Sequence, residues 1–370
     1  MPTSDPRTLF VHICCSVDSH HFLSELRALL PETKLIAYFY NPNIHPEEEY
    51  QLRLMDVRRS SQLLGIPLLE ESYDPKNWLH ESIGMEHCPE KGERCSFCFD
   101  FRLNRSAQKA LELGCDSFTT TLLASPMKSI PQLFSQGKEL EQTWGIRFYP
   151  LDTRSHGGSA RQQQLAKASH LYRQNYCGCL YALKAQREQL QKRPLELLSP
   201  LSPQRAKEGI FAQRRHALER RDFFEKSGQP YFFGKEKRIF WQNLFTRFQD
   251  SKGASIPCHA LAPSLLSRPL SLRVELHHKG MAYFDKEGVR AMDLKLWRRL
   301  TLQKQSSIQE LIYHPLSIKE ELRLREELGD SPLSTSPLLV FKELPPLGES
   351  CKLTIHSLWQ EESVEKVWKL

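Results

Sequence analysis

At 370 residues, 40% hydrophobic and 26% charged, the chain is long enough for two domains and has the make-up of a globular protein. No apolar run reaches the roughly 18–20 residues needed to cross a bilayer, and the opening MPTSDPRTLFVHICC lacks the basic start and apolar core of a signal peptide. A cytoplasmic location without a membrane partner is the default expectation, and a net charge of +7 suits a polyanionic partner such as RNA without singling one out.

The first half alternates strand-like and helix-like segments. Strands are expected at 8–13, 34–40, 66–71, 116–122 and 146–151, with helices at 19–30, 47–64, 97–113, 130–143 and 159–171. Alternation at these lengths predicts βαβ units and an α/β fold with a doubly wound parallel sheet. The stretch 192–205, KRPLELLSPLSPQR, interrupts the pattern with three prolines and two serines and marks a boundary. We therefore expect a first domain over 1–195 and a C-terminal α+β appendage over 200–370. The appendage reads as a basic helix running through Phe224, a hairpin over 271–290, a largely helical stretch over 307–329 and a last strand over 351–359.

The ten cysteines are grouped: CC at 14–15, CxxC at 95–98 and CxC at 177–179, with Cys88, Cys115, Cys258 and Cys351 apart. A reducing compartment argues against a disulfide framework, and the pairs point to chelation. Ligands of an open parallel sheet lie beyond the carboxyl ends of its strands. Cys14, Cys15 and Asp18 follow the first strand; Tyr40, Asn41, Asn43 and His45 follow the second. Thr119, Thr120, Thr121, Ser125 and Lys128 lie at and after the fourth, and Asp152 and Arg154 follow the fifth. All are expected on one rim, with Cys95, Cys98, Cys177 and Cys179 folding back over it from an insertion and from a late segment.

Three pairs so far apart are a poor match to the paired knuckles of one structural zinc, whereas a [4Fe–4S] cluster takes four thiolates scattered through a chain. Six exceed one cluster's need, and the surplus with Asp18 suits an adjacent iron with an open position. The competing reading of Asp18 is an N-cap for the helix at 19–30. The loop CCSVDS (14–19) is similar to the SGGxDS pyrophosphate loop of ATP-using tRNA-modifying enzymes. Both glycines that admit phosphate there are replaced, by Cys15 and Ser16, which opposes ATP binding but leaves a shared Rossmann-like, HUP-like fold.

Five stretches together carry a more specific likeness: HICCSVD (12–18), YFYNPNIHPEEEYQLR (38–53), KGERCSFCFDFRL (91–103), FTTTLLASPMK (118–128) and LYRQNYCGC (171–179). With these, residues 8–185 resemble the epoxyqueuosine reductase QueH family. Ser16–Val17 stands where the family usually has Ala–Pro or Gly–Pro, and Asp18 occupies a site that is Cys in many relatives. The resemblance implies reductive removal of the epoxide oxygen of epoxyqueuosine in tRNA, the last step of queuosine biosynthesis. It also implies a [4Fe–4S] cluster and an additional mononuclear iron, bound by the six paired cysteines and Asp18, and an electron donor that the sequence does not identify. Spacing does not divide the thiolates between the two; Cys14 or Cys15 with Asp18 is the assignment made for the lone iron.

The other motif residues have expected roles. Arg53, Arg102, Lys128 and Arg173 are candidates for tRNA phosphates, with helix-surface ion pairs the competing reading for Arg53 and Arg102. Tyr40, Tyr50 and Tyr176 are candidates to stack on a base, against a core role. Asn41, Asn43 and Ser125 complete the substrate set, and His45 or Tyr176 is a candidate proton donor. Two other classes stay open: a zinc-binding, non-catalytic RNA module, and an ATP-dependent tRNA-modifying enzyme.

Overall fold

A computed structural model of the chain describes residues 5–198, 204, 208–331 and 333–370. The serines and prolines at 199–203, the heart of the expected boundary, and 205–207 at the head of the basic segment lie outside the described residues. The chain divides into two compact units, residues 1–194 and 195–370.

The first unit is a five-stranded sheet, β1 (Thr8–Ile13), β2 (Lys34–Phe39), β3 (Leu68–Glu70), β4 (Ser117–Thr120) and β5 (Arg147–Phe148), in the order β3-β2-β1-β4-β5. Every pairing is parallel. Helices connect the strands: α1 (Ser16–Leu29), α2 (Glu47–Leu63), α3 (Pro75–Glu81), α4 (Glu93–Glu112) and α5 (Ile130–Trp144); α6 (Gly158–Ala168) and α7 (Leu180–Gln189) follow β5. β1 is the central strand, and after its first residue every side chain is buried. A near-continuous apolar run is what burial on both faces demands. The strand order reverses between β1 and β4, and that reversal opens a crevice beyond their carboxyl ends.

One polar residue ties this end of the sheet together. His12 is fully buried in β1, its Nε2 is 3.0 Å from the Tyr40 carbonyl and its Nδ1 is 2.9 Å from Thr120 Oγ1. A carbonyl only accepts, so Nε2 carries the proton and Nδ1 accepts from the threonine hydroxyl. Burial, with Arg102 nearby, holds the imidazole pKa down to about 3, so the ring is neutral and joins the ends of β1, β2 and β4.

Three boundaries differ from the expected ones in ways that matter. α1 begins at Ser16, with extended Cys15 as its N-cap, so Asp18 lies in the first turn and is not the cap. α4 begins at Glu93 behind Gly92, four residues before the expected start at 97, which puts Cys95 on the same helix as Cys98. β4 stops at Thr120, whose Oγ1 accepts from the Leu122 N–H and starts a 3-10 turn over Thr121–Ala124.

The second unit is mostly sheet. Its strands are β6 (Tyr231–Gln249), β7 (Ser255–Ile256), β8 (Cys258–Ala260), β9 (Leu270–His278), β10 (Met281–Phe284), β11 (Arg290–Asp293), β12 (Leu338–Phe341) and β13 (Ser350–Lys369), ordered β7-β6-β13-β9-β10-β11-β12-β8. Among the described residues four helices accompany them: α8 (Ile210–Ser227), α9 (Leu294–Thr301), α10 (Ile308–Tyr313) and α11 (Ile318–Glu327). The expected last strand over 351–359 is far longer, and its partner β6 was not expected at all. A register shift at His356/Ser357 breaks the two-residue alternation that would have revealed the pair.

Candidate metal centre

Beyond the carboxyl ends of β1 and β4 lies a cavity of about 410 Å³ lined by all six paired cysteines and Asp18. Cys14 and Cys15 leave β1, and Cys15 is the N-cap residue of α1. Cys14 Sγ lies 3.8 Å from Cys15 Sγ and 3.4 Å from Asp18 Oδ2. Among the described residues only these three bring ligand atoms of three side chains within 4.8 Å of one another. Gln162 on α6 donates to Asp18 Oδ1 at 2.7 Å, and the Thr121 hydroxyl accepts the Cys14 N–H at 3.2 Å.

The other four thiols arrive from two elements. Cys95, Cys98 and Arg102 are spaced i, i+3 and i+7 along α4 and so share a face. The Lys91 N–H already donates to Cys95 Sγ at 3.2 Å. Cys177 and Cys179 stand either side of Gly178, immediately before α7. Arg53 fixes this turn: it donates to the carbonyls of Tyr176 at 2.9 Å and Cys177 at 3.0 Å, and is held by Glu49 at 2.8 Å.

Gly178 has φ +110, and an added Cβ would stand 2.8 Å from Ile44 Cγ1 and 3.1 Å from Arg53 Nη1. Gly178→Ala is therefore expected to cost roughly 1–3 kcal/mol in backbone strain alone, a melting midpoint lower by about 2–12 °C. It should also weaken metal retention, because Cys177 and Cys179 turn with it. Thermal unfolding and iron content of the purified variant check both.

The site crowds acidic groups in a buried place. Burial raises the Asp18 carboxyl, although hydrogen bonds from Cys14, Cys15 and Gln162 oppose the rise. Cys15 is pushed well up by its hydrogen bond with Cys14, then by burial and by Asp18. Burial likewise raises Cys98. In the CxC pair, Cys179 donates its proton toward Cys177, which holds Cys177 down to about 5 with help from Lys128 and drives Cys179 up. Thiols and a carboxyl that suppress one another's ionisation are relieved together by a cation, which displaces their protons.

The expected substrate residues divide. Asn43, Tyr176, Ser125, Lys128 and Arg173 line the cavity, as do Arg53 and Arg102. The two arginines are buried and their N–H groups go to protein acceptors, Arg102 to Asn41 Oδ1 at 3.1 Å and to the Cys98 carbonyl at 3.2 Å. They brace the cysteine-bearing segments, which corrects the phosphate reading; the helix ion pair expected of Arg53 is present, with Glu49, but buried and not at the surface. Asn41 is buried too, donating 2.8 Å to the Ile13 carbonyl. Tyr40 and Tyr50 belong to the core, packed on Tyr38, Phe101, Phe39 and Tyr73, and so do not offer a stacking face.

The two proton-donor candidates are also committed. The Tyr176 hydroxyl donates to the His45 carbonyl, and the Arg53 guanidinium lies over the Tyr176 ring. Burial lowers the His45 pKa, and its Nδ1 lies 3.0 Å from the Asn43 carbonyl, so the neutral ring keeps its one proton there and Nε2 is a bare lone pair. Thr119 donates to the Tyr149 carbonyl as a strand residue. Asp152 makes a local turn with Arg154 and Ser155, and Arg154 holds the carbonyls of Ser125 and Lys128 at 2.8 Å.

Sequence reasoning missed Gln162, Trp78 and Gln174 in the same cavity. Gln162 is 144 positions from Asp18, with no motif to announce it. Trp78 sits on α3, a short helix inside what reads as an insertion, and only its burial there reveals it.

A parallel α/β unit with six thiols and a carboxylate gathered at its strand-order reversal has the make-up of a thiolate-rich metal site. Residues 9–185 match the family model described as epoxyqueuosine reductase QueH. A relative from Helicobacter pylori with that name is 36% identical over 375 residues, covering 96% of this chain and 99% of its own. A Thermotoga maritima relative of the same name is 33% identical over 184 residues, covering 49% of this chain and 93% of its own. Among solved structures, the U34-tRNA thiolase NcsA of Methanococcus maripaludis with its [4Fe-4S] cluster aligns at a TM-score of 0.31 and 18% identity, covering 45% of this chain and 58% of that one. The chain belongs to the epoxyqueuosine reductase QueH family. The Helicobacter relative runs through both units, whereas the Thermotoga relative is nearly accounted for by about half of this chain.

Proposed function

We propose that the protein reduces the epoxide of epoxyqueuosine in tRNA to give queuosine, using a [4Fe–4S] cluster and an adjacent iron. The observation that carries this reading is the division of the seven ligands within one cavity. Cys14, Cys15 and Asp18 form a compact group of the size that suits one ion, and the carboxylate favours iron. Cys95, Cys98, Cys177 and Cys179 are the four thiolates left over, and they are not drawn into any such compact group, as suits a polynuclear cluster. When bound, such a centre supplies electrons one at a time and a Lewis acid for the epoxide oxygen.

Turning the epoxide into an alkene consumes two electrons and two protons and releases one water. The electrons come from a donor outside this chain. For the protons, Lys128 replaces His45 and Tyr176 as our candidate: it is half-buried over the Phe99 ring at 5.2 Å, faces the thiolates, and its charge acts on both Cys177 and Asp18. Asn43 is our candidate to orient the substrate, because its buried Oδ1 lines the cavity without a partner and can accept from a hydroxyl or an amine. Gln162 orients Asp18, and Arg53 holds the CxC turn. The Rossmann-like, HUP-like kinship with ATP-using tRNA enzymes remains part of this reading as common ancestry. ATP use does not, because the loop after β1 has no glycine.

Nucleoside mass spectrometry of tRNA from cells lacking the protein tests the activity. Epoxyqueuosine should accumulate, clear on return of the wild type and persist with Cys177→Ala; unchanged queuosine refutes the reading.

For residues 195–370 we propose tRNA docking. They carry 28 Lys and Arg against 22 Asp and Glu, so nearly all of the chain's net charge is theirs. The basic helix singled out in the sequence, α8, is a poor phosphate stripe, since Arg214 pairs with Glu365 at 3.5 Å and Arg221 with Asp222 at 2.8 Å, both arginines buried. α9 is better suited: Leu294, Leu296 and Trp297 face inward while Lys295, Arg298 and Arg299 are exposed. Replacing these three by glutamine should make the dependence of log tRNA affinity on log salt shallower by about three. An unchanged slope removes α9 from the interface. No helix among the described residues is long and apolar enough to cross a membrane.

A further inference from the structure

Trp78 is 0% exposed, yet its indole N–H has no hydrogen-bond partner. A buried indole N–H ordinarily finds an acceptor, and this one has none among the protein's own groups. The side chain packs with Cys98, Cys179 and Ala182 in one buried cluster and lines the cavity that holds all six thiols. Cys98 and Cys179 are each 7% exposed, so water has little access to this corner. Two aromatic rings flank it, His45 at 5.9 Å and Tyr181 at 6.0 Å between centroids. His45 Nε2 is a lone pair without a partner, but it makes no hydrogen bond with the indole.

The other cysteine pair on α4 shows what such a donor does here. Lys91 already directs a backbone N–H at Cys95 Sγ. The backbone N–H of Ala182 acts on Cys179, but no backbone donor plays that part for Cys98 in the hydrogen bonds of the described residues, and the unpaired indole stands beside both.

We infer that Trp78 donates an N–H···S hydrogen bond to sulfur of the iron–sulfur centre held by the CxxC and CxC pairs, and thereby raises its reduction potential. This rests on the cluster reading given above. Hydrogen bonds to cluster sulfurs are among the factors that set its potential. Reduction adds negative charge that spreads onto sulfur, so a donor at sulfur strengthens on reduction and stabilises the reduced form. Removing it shifts the balance toward the oxidised form.

The test compares wild type with Trp78→Phe, both purified anaerobically as full chains, by redox titration followed in the visible spectrum. The wild type is also labelled with indole-15N tryptophan, reduced, and examined by pulsed EPR for coupling of the cluster spin to nitrogen. We expect Trp78→Phe to keep its iron and sulfide while its reduced-to-oxidised ratio at fixed potential falls about tenfold, which is about 59 mV for a one-electron couple. We also expect the 15N coupling in the wild type. An unshifted potential with full metal content overturns the inference, as does absence of 15N coupling, which needs no variant and stands even if Trp78→Phe does not fold. In both cases the cluster reading survives. Wild-type protein without labile sulfide overturns that reading and this inference together.

Discussion

Replacing Cys98 by alanine is expected to strip the protein of acid-labile sulfide and reduce epoxide reduction by at least about a thousandfold, the scale lost when a unit of catalytic groups is broken. Cys98 is buried on the inner face of α4, between Arg102 and the CxC turn. In the ligand set we propose, three thiolates then remain for a cluster that takes four. Because alanine removes only one sulfur, α4 should persist: its buried face still carries Phe99, Leu103, Ala107 and Ala110. Iron and sulfide analysis beside circular dichroism checks this, with sulfide falling from about four per chain in the wild type and helicity unchanged. Retained sulfide in a folded variant would exclude Cys98 from the ligands.

Asp18→Ala is expected to separate the two metal components. Sulfide should stay near the wild-type content while about one iron per chain is lost, and turnover should fall by about 10²–10⁴-fold. The reason lies in the geometry: Asp18 contacts Cys14 and is steered by Gln162, but it belongs to neither the CxxC nor the CxC segment. Gln162→Leu, which keeps the carboxylate and removes only its orienting donor, should weaken retention of the lone iron by about 10–100-fold. Metal analysis of the two variants against the wild type decides the point. Loss of sulfide in Asp18→Ala would place Asp18 on the cluster instead.

Much of this was legible in the sequence because the first unit obeys simple periodicities. Apolar strands alternating with helices foretold the parallel sheet, and its carboxyl rim foretold where Cys14, Cys15, Asn43, Ser125 and Lys128 gather. Residues whose side chains turn inward were less readable. Arg53 and Arg102 look like solvated helix cations, and nothing local says that their hydrogen bonds end on Cys177, Tyr176, Asn41 and Cys98. Tyr40 and Tyr50 fail as stacking platforms for a similar reason, since an aromatic just after a strand or in the first turn of a helix reads the same whether it faces a cavity or the core. The division of the ligands that we propose was beyond spacing alone, because it rests on α4 and the CxC turn converging from positions about eighty residues apart. In the second unit the misreading came from register: β6 and β13 pair over almost twenty residues across a bulge, so neither keeps one clean alternation.

The most direct test of the central claim is a single-turnover reaction. Anaerobically purified protein, with iron above four and sulfide near four per chain, is mixed with tRNA carrying epoxyqueuosine and a chemical reductant, and the nucleosides are read by mass spectrometry. The predicted result is conversion of epoxyqueuosine to queuosine with loss of one oxygen, absent with Cys98→Ala. Metal-replete wild-type protein that leaves epoxyqueuosine unchanged would contradict the account.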